Sequence, residues 1–250
     1  MNESILTLAI EASNPSAAGS TPGVAIGRVV PSAGLQSDLR AYDTGVELLG
    51  VELFRSTARH DDDLLPAIDR LWRRLVEDNV VADRREIGRV AVSVGPGGFT
   101  GLRVSVAAGK MIAEALGARC VAVPSASVVA RRVKAELPRP FAVLLASKRE
   151  TTVATVFAES DSAPSRPREI SAADLAWLGV VGIVADGFLP ESIRAEADRL
   201  GADIVEPEFD PAACLEAAAG LEPLDAAHLS PIYGREPEAV RKWRELHGLG

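Results

Sequence analysis

The chain has 250 residues, with 27 Lys and Arg against 35 Asp and Glu, so its formal net charge is −8. At 47% hydrophobic and 25% charged residues it is not a disordered chain, and folding hides roughly 72 per cent of the unfolded surface at this size, so no disulfide or metal staple is required. The acidic balance argues against strong nucleic-acid binding by this chain alone, and two lone cysteines, Cys120 and Cys214, build neither a zinc ribbon nor a disulfide framework.

Ile5 to Glu11 is apolar and reads as a buried strand that runs into a Pro/Gly/Ser-rich turn over Ser13 to Gly23. Val24 to Val30 reads as its hairpin partner, and a third strand is expected around Leu39 to Tyr42. From Asp61 the pattern changes. Leu64, Leu65, Ile68, Leu71, Trp72, Leu75 and Val76 recur at three and four residues, which predicts an amphipathic helix. Asp61, Asp62 and Asp63 supply N-cap candidates, with Pro66 expected in the first turn. Arg89 to Val94 is the next strand, Gly95 to Gly101 a glycine-rich loop, and Leu102 to Leu116 a helix of small and apolar residues stopped by Gly117.

Beyond that, Arg119 to Val123 reads as a strand, and Ser125 caps a helix running to about Glu136. Phe141 to Ser147 and Thr151 to Ala158 read as adjacent strands, and Ser160 to Arg168 as a loop or linker. A short helix near Asp174, a strand at Val180 to Ala185, a helix over Pro190 to Leu200, an Ala-rich helix and a polar tail after Pro231 complete the chain. The rhythm predicts a mixed α/β fold in two layered lobes: 1–120, 121–220, and a tail over 221–250 that can return to the first lobe. No internal repeat is visible in the sequence. The longest apolar runs, such as Phe141 to Ala146, are far shorter than the roughly 18 residues of a membrane span. The start, Met1-Asn2-Glu3-Ser4, lacks the basic region of a signal peptide, so the expected home is the cytoplasm.

The sharpest chemical feature is the run from Val90 to Arg103, where a strand ends in Gly95-Pro96-Gly97-Gly98-Phe99-Thr100-Gly101 and a helix begins. Glycines permit close backbone approach and a helix N-terminus offers free N–H groups, so phosphate binding is the first reading to test. The Walker spacing fails because no Gly-Lys-Ser/Thr follows, and the dinucleotide fingerprint fails at Thr100. A purely structural strand-turn-helix is the plainer reading. Phe99 either plugs the local core or presents itself to a partner. The three histidines, His60, His228 and His247, have no partner at metal-helix spacing, which argues against a zinc peptidase. Ser93 and Ser105 form no nucleophile elbow, and Cys120 reads as a small core residue. Glu11, at the end of the first strand, is either a magnesium–phosphate ligand or an exposed strand-end carboxylate.

Gly95-Pro96-Gly97-Gly98-Phe99-Thr100-Gly101-Leu102-Arg103 is similar to the G-P-G-S-F-T-G-[LVI]-R signature of the TsaB (YeaZ) family. Ile5 to Ser13 resembles that family's opening L-A-I-D-T-S strand, and Arg59 to Ile68 its H-x-x-x-L-L-P-x-I helix start. Pro124-Ser125-Ala126-Ser127 is similar to the family's V-S-S/T-L turn, and Pro231-Ile232-Tyr233-Gly234-Arg235 to its P-x-Y-x-R tail. The likeness covers Ile5 to Val129 and thins beyond. It implies a two-lobed actin-like, ribonuclease H-like (ASKHA) fold, with mixed sheets flanked by helices and a degenerate second lobe.

The resemblance further implies a non-catalytic scaffold subunit in the assembly that makes threonylcarbamoyladenosine on tRNA. Its partners would be a TsaD-like catalytic subunit and a TsaE-like ATPase, with tRNA met only through the complex and no membrane. It leaves open a homodimer in isolation. The chain would carry no cofactor of its own, though ATP or ADP and magnesium are allowed in the complex, with Glu11, Gly97 and Gly98 as the weak candidates here. Partner contact is implied for Leu64, Leu65, Ile68, Leu71 and Trp72 on the first helix. On the second it is implied for Phe99, Thr100, Arg103, Ala107 and Met111, where small residues at Ala107, Ala108, Gly109 and Ala113 would let another helix approach closely.

Departures from the family pattern are Glu11 for the usual Asp, and Leu145 to Val153, which lacks the family's acidic residue. The alternatives are an actin-like small-molecule kinase or ATPase, with Glu11 and Asp186 converging on magnesium and the Gly95 loop on phosphate, or a glycoprotease-type peptidase.

Overall fold

The computed structural model describes residues 4–14, 19–30, 45–55, 60–133, 137–158, 164–234 and 238–248. The first sheet is built from β1 (Ile5–Glu11), β3 (Gly23–Val29), β4 (Val46–Leu53), β5 (Ile87–Gly95) and β6 (Arg119–Pro124) in the order β4-β3-β1-β5-β6; β2 (Gly19–Ser20) lies outside it. β1, β3 and β4 pair antiparallel, whereas β5 and β6 join in parallel. Parallel pairing requires crossovers, which are α1 (His60–Glu77) and α2 (Phe99–Leu116). The expected strand at Leu39 to Tyr42 lies outside the described residues.

The two faces of this sheet carry different side chains. Leu8, Ile10, Val24, Ile26, Val90 and Val92 point to one face and build the core with Leu64, Leu71 and Trp72 of α1 and Val106 of α2. The alternating residues Ala9, Ala25 and Ala91 point to the other. There the Ala-rich α6 (Pro211–Ala218) packs closely, and a Cβ on Gly27 would collide with Leu215.

After α3 (Ser125–Ala130), the second sheet contains β7 (Phe141–Lys148), β8 (Thr151–Phe157), β9 (Arg168–Ile170), β10 (Gly182–Ala185) and β11 (Asp203–Val205), in the order β11-β10-β7-β8-β9. Its first three strands again pair antiparallel and its last two in parallel. Each sheet is therefore one topology written twice, a duplication invisible in the sequence. Phe141, Val143, Leu145 and Val184 face α3, and Ala142, Leu144 and Ile183 face α4 (Ala172–Leu175) and α5 (Glu191–Leu200). β12 (Glu208–Phe209) pairs with β2, and α7 (Glu238–His247) lies where a polar tail was expected.

The chain crosses between the sheets at places other than 120 and 221. β6 straddles residue 120 and belongs wholly to the first sheet, and α6 has already returned to that sheet at Pro211. The strand Val46–Leu53 lies at the sheet edge with half-exposed residues on both faces, which left no periodic signal. α1 begins at His60, so Pro66 sits inside it and not in its first turn. Asp63 is a buried helix residue instead of a cap, and its carboxylate accepts from Arg55 N–H and from Arg70. The Arg70 guanidinium beside it holds that carboxyl below the usual Asp range.

Candidate functional site

The glycine loop is shaped by the chain it packs on. Gly98 N–H donates to the Ser13 carbonyl at 2.6 Å, and a Cβ at Gly97 would overlap that same oxygen. One at Gly101 would meet the Ala12 carbonyl. Gly95 has φ +105°, a conformation that favours glycine, and faces the Ile232 carbonyl, while Ile232 N–H donates to Val94 O at 2.7 Å. The glycines thus let three backbone segments meet: the loop itself, the end of β1 and the tail at Ile232.

Phosphate does not fit this arrangement. Three of the loop's close neighbours, at Ala12, Ser13 and Ile232, are carbonyl oxygens, and the Gly98 N–H is already bonded. Glu11 is fully buried rather than exposed at its strand end. Its Oε1 accepts from Ser13 N–H and Ser13 Oγ–H, both at 2.7 Å, and its Oε2 has no hydrogen-bond partner. Burial pushes its carboxyl up, the Ser13 hydrogen bonds and the nearby Ser93 hydroxyl oppose this, and nearby Asp210 adds to it. A carboxyl enclosed in this way, with Oε1 already bonded to Ser13, is poorly placed to hold magnesium, which keeps several waters and needs open oxygen ligands. Asp186 answers to different neighbours: burial raises its carboxyl first, Phe188 N–H bonds it, and Glu206 is the nearby charge. Each carboxyl is bonded to its own neighbours, and among the described residues no group of three His, Cys, Asp or Glu side chains is placed to hold a metal ion.

Two further groups sit beside Glu11. Ser93 Oγ and Ser125 Oγ lie 2.9 Å apart, and the buried Cys214 thiol points at the Ile10 carbonyl. Cys214 is fully enclosed, and burial pushes its thiol well above its ordinary range, with Glu11 and Asp210 adding to the shift. Sequence reasoning missed Cys214 here because α6 arrives from more than two hundred residues away.

The outer face of α2 is different. Phe99 is 56% exposed and Met111 60% exposed, and with Arg103 and Ala107 they recur every fourth residue along one face. Thr100 is exposed beside them. The Arg103 guanidinium lies 3.9 Å above the Phe99 ring, and Tyr233 stacks against that ring at 5.4 Å. Arg103 Nε–H donates to Tyr233 Oη at 3.1 Å. Tyr233 thus joins Phe99 and Arg103 in one exposed cluster, a role its place in the tail motif did not reveal.

On α1, Leu65 is 53% exposed and Ile68 half-buried. Leu64, Leu71 and Trp72 are core residues, which takes them out of the candidate contact surface: their side chains point to the first sheet. The small residues of α2 also turn inward, apart from Ala107. Ala108 and Ala113 are buried, and a Cβ on Gly109 would strike Val92 of β5, so smallness serves approach to the sheet. No described helix is long and apolar enough to cross a membrane.

Residues 55–163 match the family model described as TsaD, tRNA N6-adenosine threonylcarbamoyltransferase. That stretch includes α1, the glycine loop and α2. No curated protein sequence matches the chain. Among solved structures, an uncharacterized protein with similarity to peptidase YeaZ from Pseudomonas aeruginosa superposes with TM-score 0.61 at 16% identity, covering 92% of this chain and 100% of that one. YeaZ from Pseudomonas aeruginosa superposes with TM-score 0.56 at 17% identity, covering 92% and 99%. Residues 55–163, with α1, the glycine loop and α2, are thus similar to the TsaD family model, and the doubled sheet topology around them gives the chain the fold of these two YeaZ-like structures.

Proposed function

We propose that this chain is a non-catalytic, TsaB-like scaffold subunit of a tRNA adenosine threonylcarbamoyltransferase, and that it holds a TsaD-like catalytic partner through the outer faces of α1 and α2. The observation that carries this reading is the exposed stripe of Phe99, Arg103, Ala107 and Met111, flanked by Leu65 on the helix packed beside it. Aromatic, Met and Arg side chains are enriched at the centres of protein interfaces. The buried, preoccupied Glu11 and the filled glycine loop support a role without a reaction of its own. A TsaE-like ATPase completes the assembly, tRNA is reached only through it, and ATP or ADP with magnesium belongs to the assembled complex in the cytoplasm.

Co-purification with the TsaD-like protein of the same cell tests this. The wild-type chain is expected to form a stable complex at micromolar concentration. Leu65→Asp and Met111→Asp should abolish capture while keeping the wild-type melting temperature, since both side chains are already more than half in water. Failure of the wild-type chain to associate, or capture undiminished in both variants, overturns the reading.

A further inference from the structure

A cavity of about 530 Å³, which shares no lining residue with that stripe, opens between the end of α3 and the β11 edge of the second sheet. Its size lies in the range of small-molecule sites. The floor is apolar: Val129, Leu137 and Val184 are buried there, with Val133 and Ile204 beside them. The chain leaving β11 borders the cavity: Glu206 and Glu208 stay on its rim while Phe209 of β12 is buried in the core beside α3. The chain then runs through β12 to α6, which packs on the other sheet.

The rim is acidic. Asp203, Glu206 and Glu208 are exposed carboxylates that line it and have no ion pair among the described residues. Arg132 is the one cation among the lining residues, and its charge is already committed. It donates to both oxygens of Asp210 at 2.6 and 3.0 Å and to both of Glu216 at 2.8 and 3.2 Å. Counting Arg132 as +1 against Asp203, Glu206, Glu208, Asp210 and Glu216 leaves a local charge of −4 over an aliphatic floor. Asp186 at the end of β10 lies close enough to Glu206 to respond to its charge, so the negative field extends along the strand end.

We propose that this cavity is a binding site for a linear aliphatic polyamine. Along an extended chain Glu206 and Glu208 are rooted at most about 7 Å apart, a spacing that a short methylene chain between two amines bridges. The ammonium groups would donate charge-assisted hydrogen bonds to the rim carboxylates, and the methylenes would lie on Val129, Leu137 and Val184. An anion is excluded by the rim, and an inorganic cation gains nothing from the apolar floor. This site is separate from the α1–α2 face, so it stands whether or not the scaffold reading does.

Titration calorimetry of the full chain with spermidine, with butylamine and with magnesium chloride tests the proposal. Spermidine is expected to bind with one-to-one stoichiometry, at least tenfold more tightly than butylamine. Glu206→Gln/Glu208→Gln is expected to weaken it at least tenfold. Val133→Phe, which fills the floor while leaving every carboxylate in place, is expected to do the same, and both variants should melt like the wild type. Absence of saturable spermidine binding, binding unchanged in Val133→Phe, or magnesium chloride displacing spermidine at equal concentration overturns it, because each would reduce the rim to a diffuse acidic surface.

Discussion

Gly97→Ala separates a packing role for the glycine loop from a phosphate-binding one. The added Cβ would overlap the Ser13 carbonyl oxygen and lie 2.9 Å from Asn14 Nδ2, and the first of these is backbone that cannot rotate away. The loop and the β1 turn must part by a few tenths of an ångström or more. Forcing a methyl into a filled space costs about 1–3 kcal/mol, and stretching the Gly98 N–H to Ser13 O bond forfeits about 1 kcal/mol more. The expected loss is about 2–4 kcal/mol, a fall in melting temperature of about 5–15 °C for a chain this long. Gly220→Ala is the matched control, because its Cβ meets nothing within 4 Å, and should change stability by no more than about 0.5 kcal/mol. Thermal and urea melts of the two variants read this directly. Equal melts for Gly97→Ala and Gly220→Ala would refute the packing role and return the loop to phosphate chemistry.

Glu11 gives a pH signature. Its folded carboxyl titrates above the usual value of 4.5, so the stability it contributes is complete below that value and is lost progressively as pH rises from there toward the folded value. Glu11→Gln keeps an acceptor for Ser13 and removes the ionisation, so it should match the wild type at pH 4 and melt higher at pH 8; equal melts at both pH values would count against the burial assigned to Glu11. Arg132→Met leaves Asp210 and Glu216, both on the α6 side of its junction with α3, without the cation they share in a partly solvated site, and should cost about 2–3 kcal/mol in a urea melt. Arg132→Lys should recover less than half of this, since one ammonium cannot serve two carboxylates in forked geometry.

What could be read from the sequence was whatever depends on near neighbours along the chain. β1, β5 and β7 are continuous apolar runs, and α1 shows its buried face through Leu64, Leu71, Trp72 and Leu75. The direction of that face settles which residues are core, yet it was first read as a contact stripe because the sheet beneath it is invisible in one dimension. α7 escaped notice because Val240, Trp243 and Leu246 are set among charges and stay exposed. The partners of the glycine loop were the least legible. Gly98 meets Ser13, Arg103 meets Tyr233, and Cys214 meets Ile10, each across a long stretch of chain. The doubled topology was hidden for a related reason: strand order follows from which edges pair, and the two halves reach the same order with unrelated residues.

The ends of β1 and β5 are where an open α/β sheet usually receives a ligand, at the carboxyl ends of its strands. In this molecule that place is filled from within. Ser13 presses on the loop from one side, and the tail from Ile232 to Gly234 closes the other, hydrogen-bonded to Val94 and packed so tightly on Val153 of β8 that a Cβ at Gly234 would collide with it. The tail therefore links the two sheets across the crevice. A group entering there would first have to break the Ile232–Val94 bond and the Arg103–Tyr233 bond, which would also disturb the exposed Phe99 cluster. Closure of the crevice and presentation of the α2 face are thus one structural event, and a chain that gave up the first would lose the second.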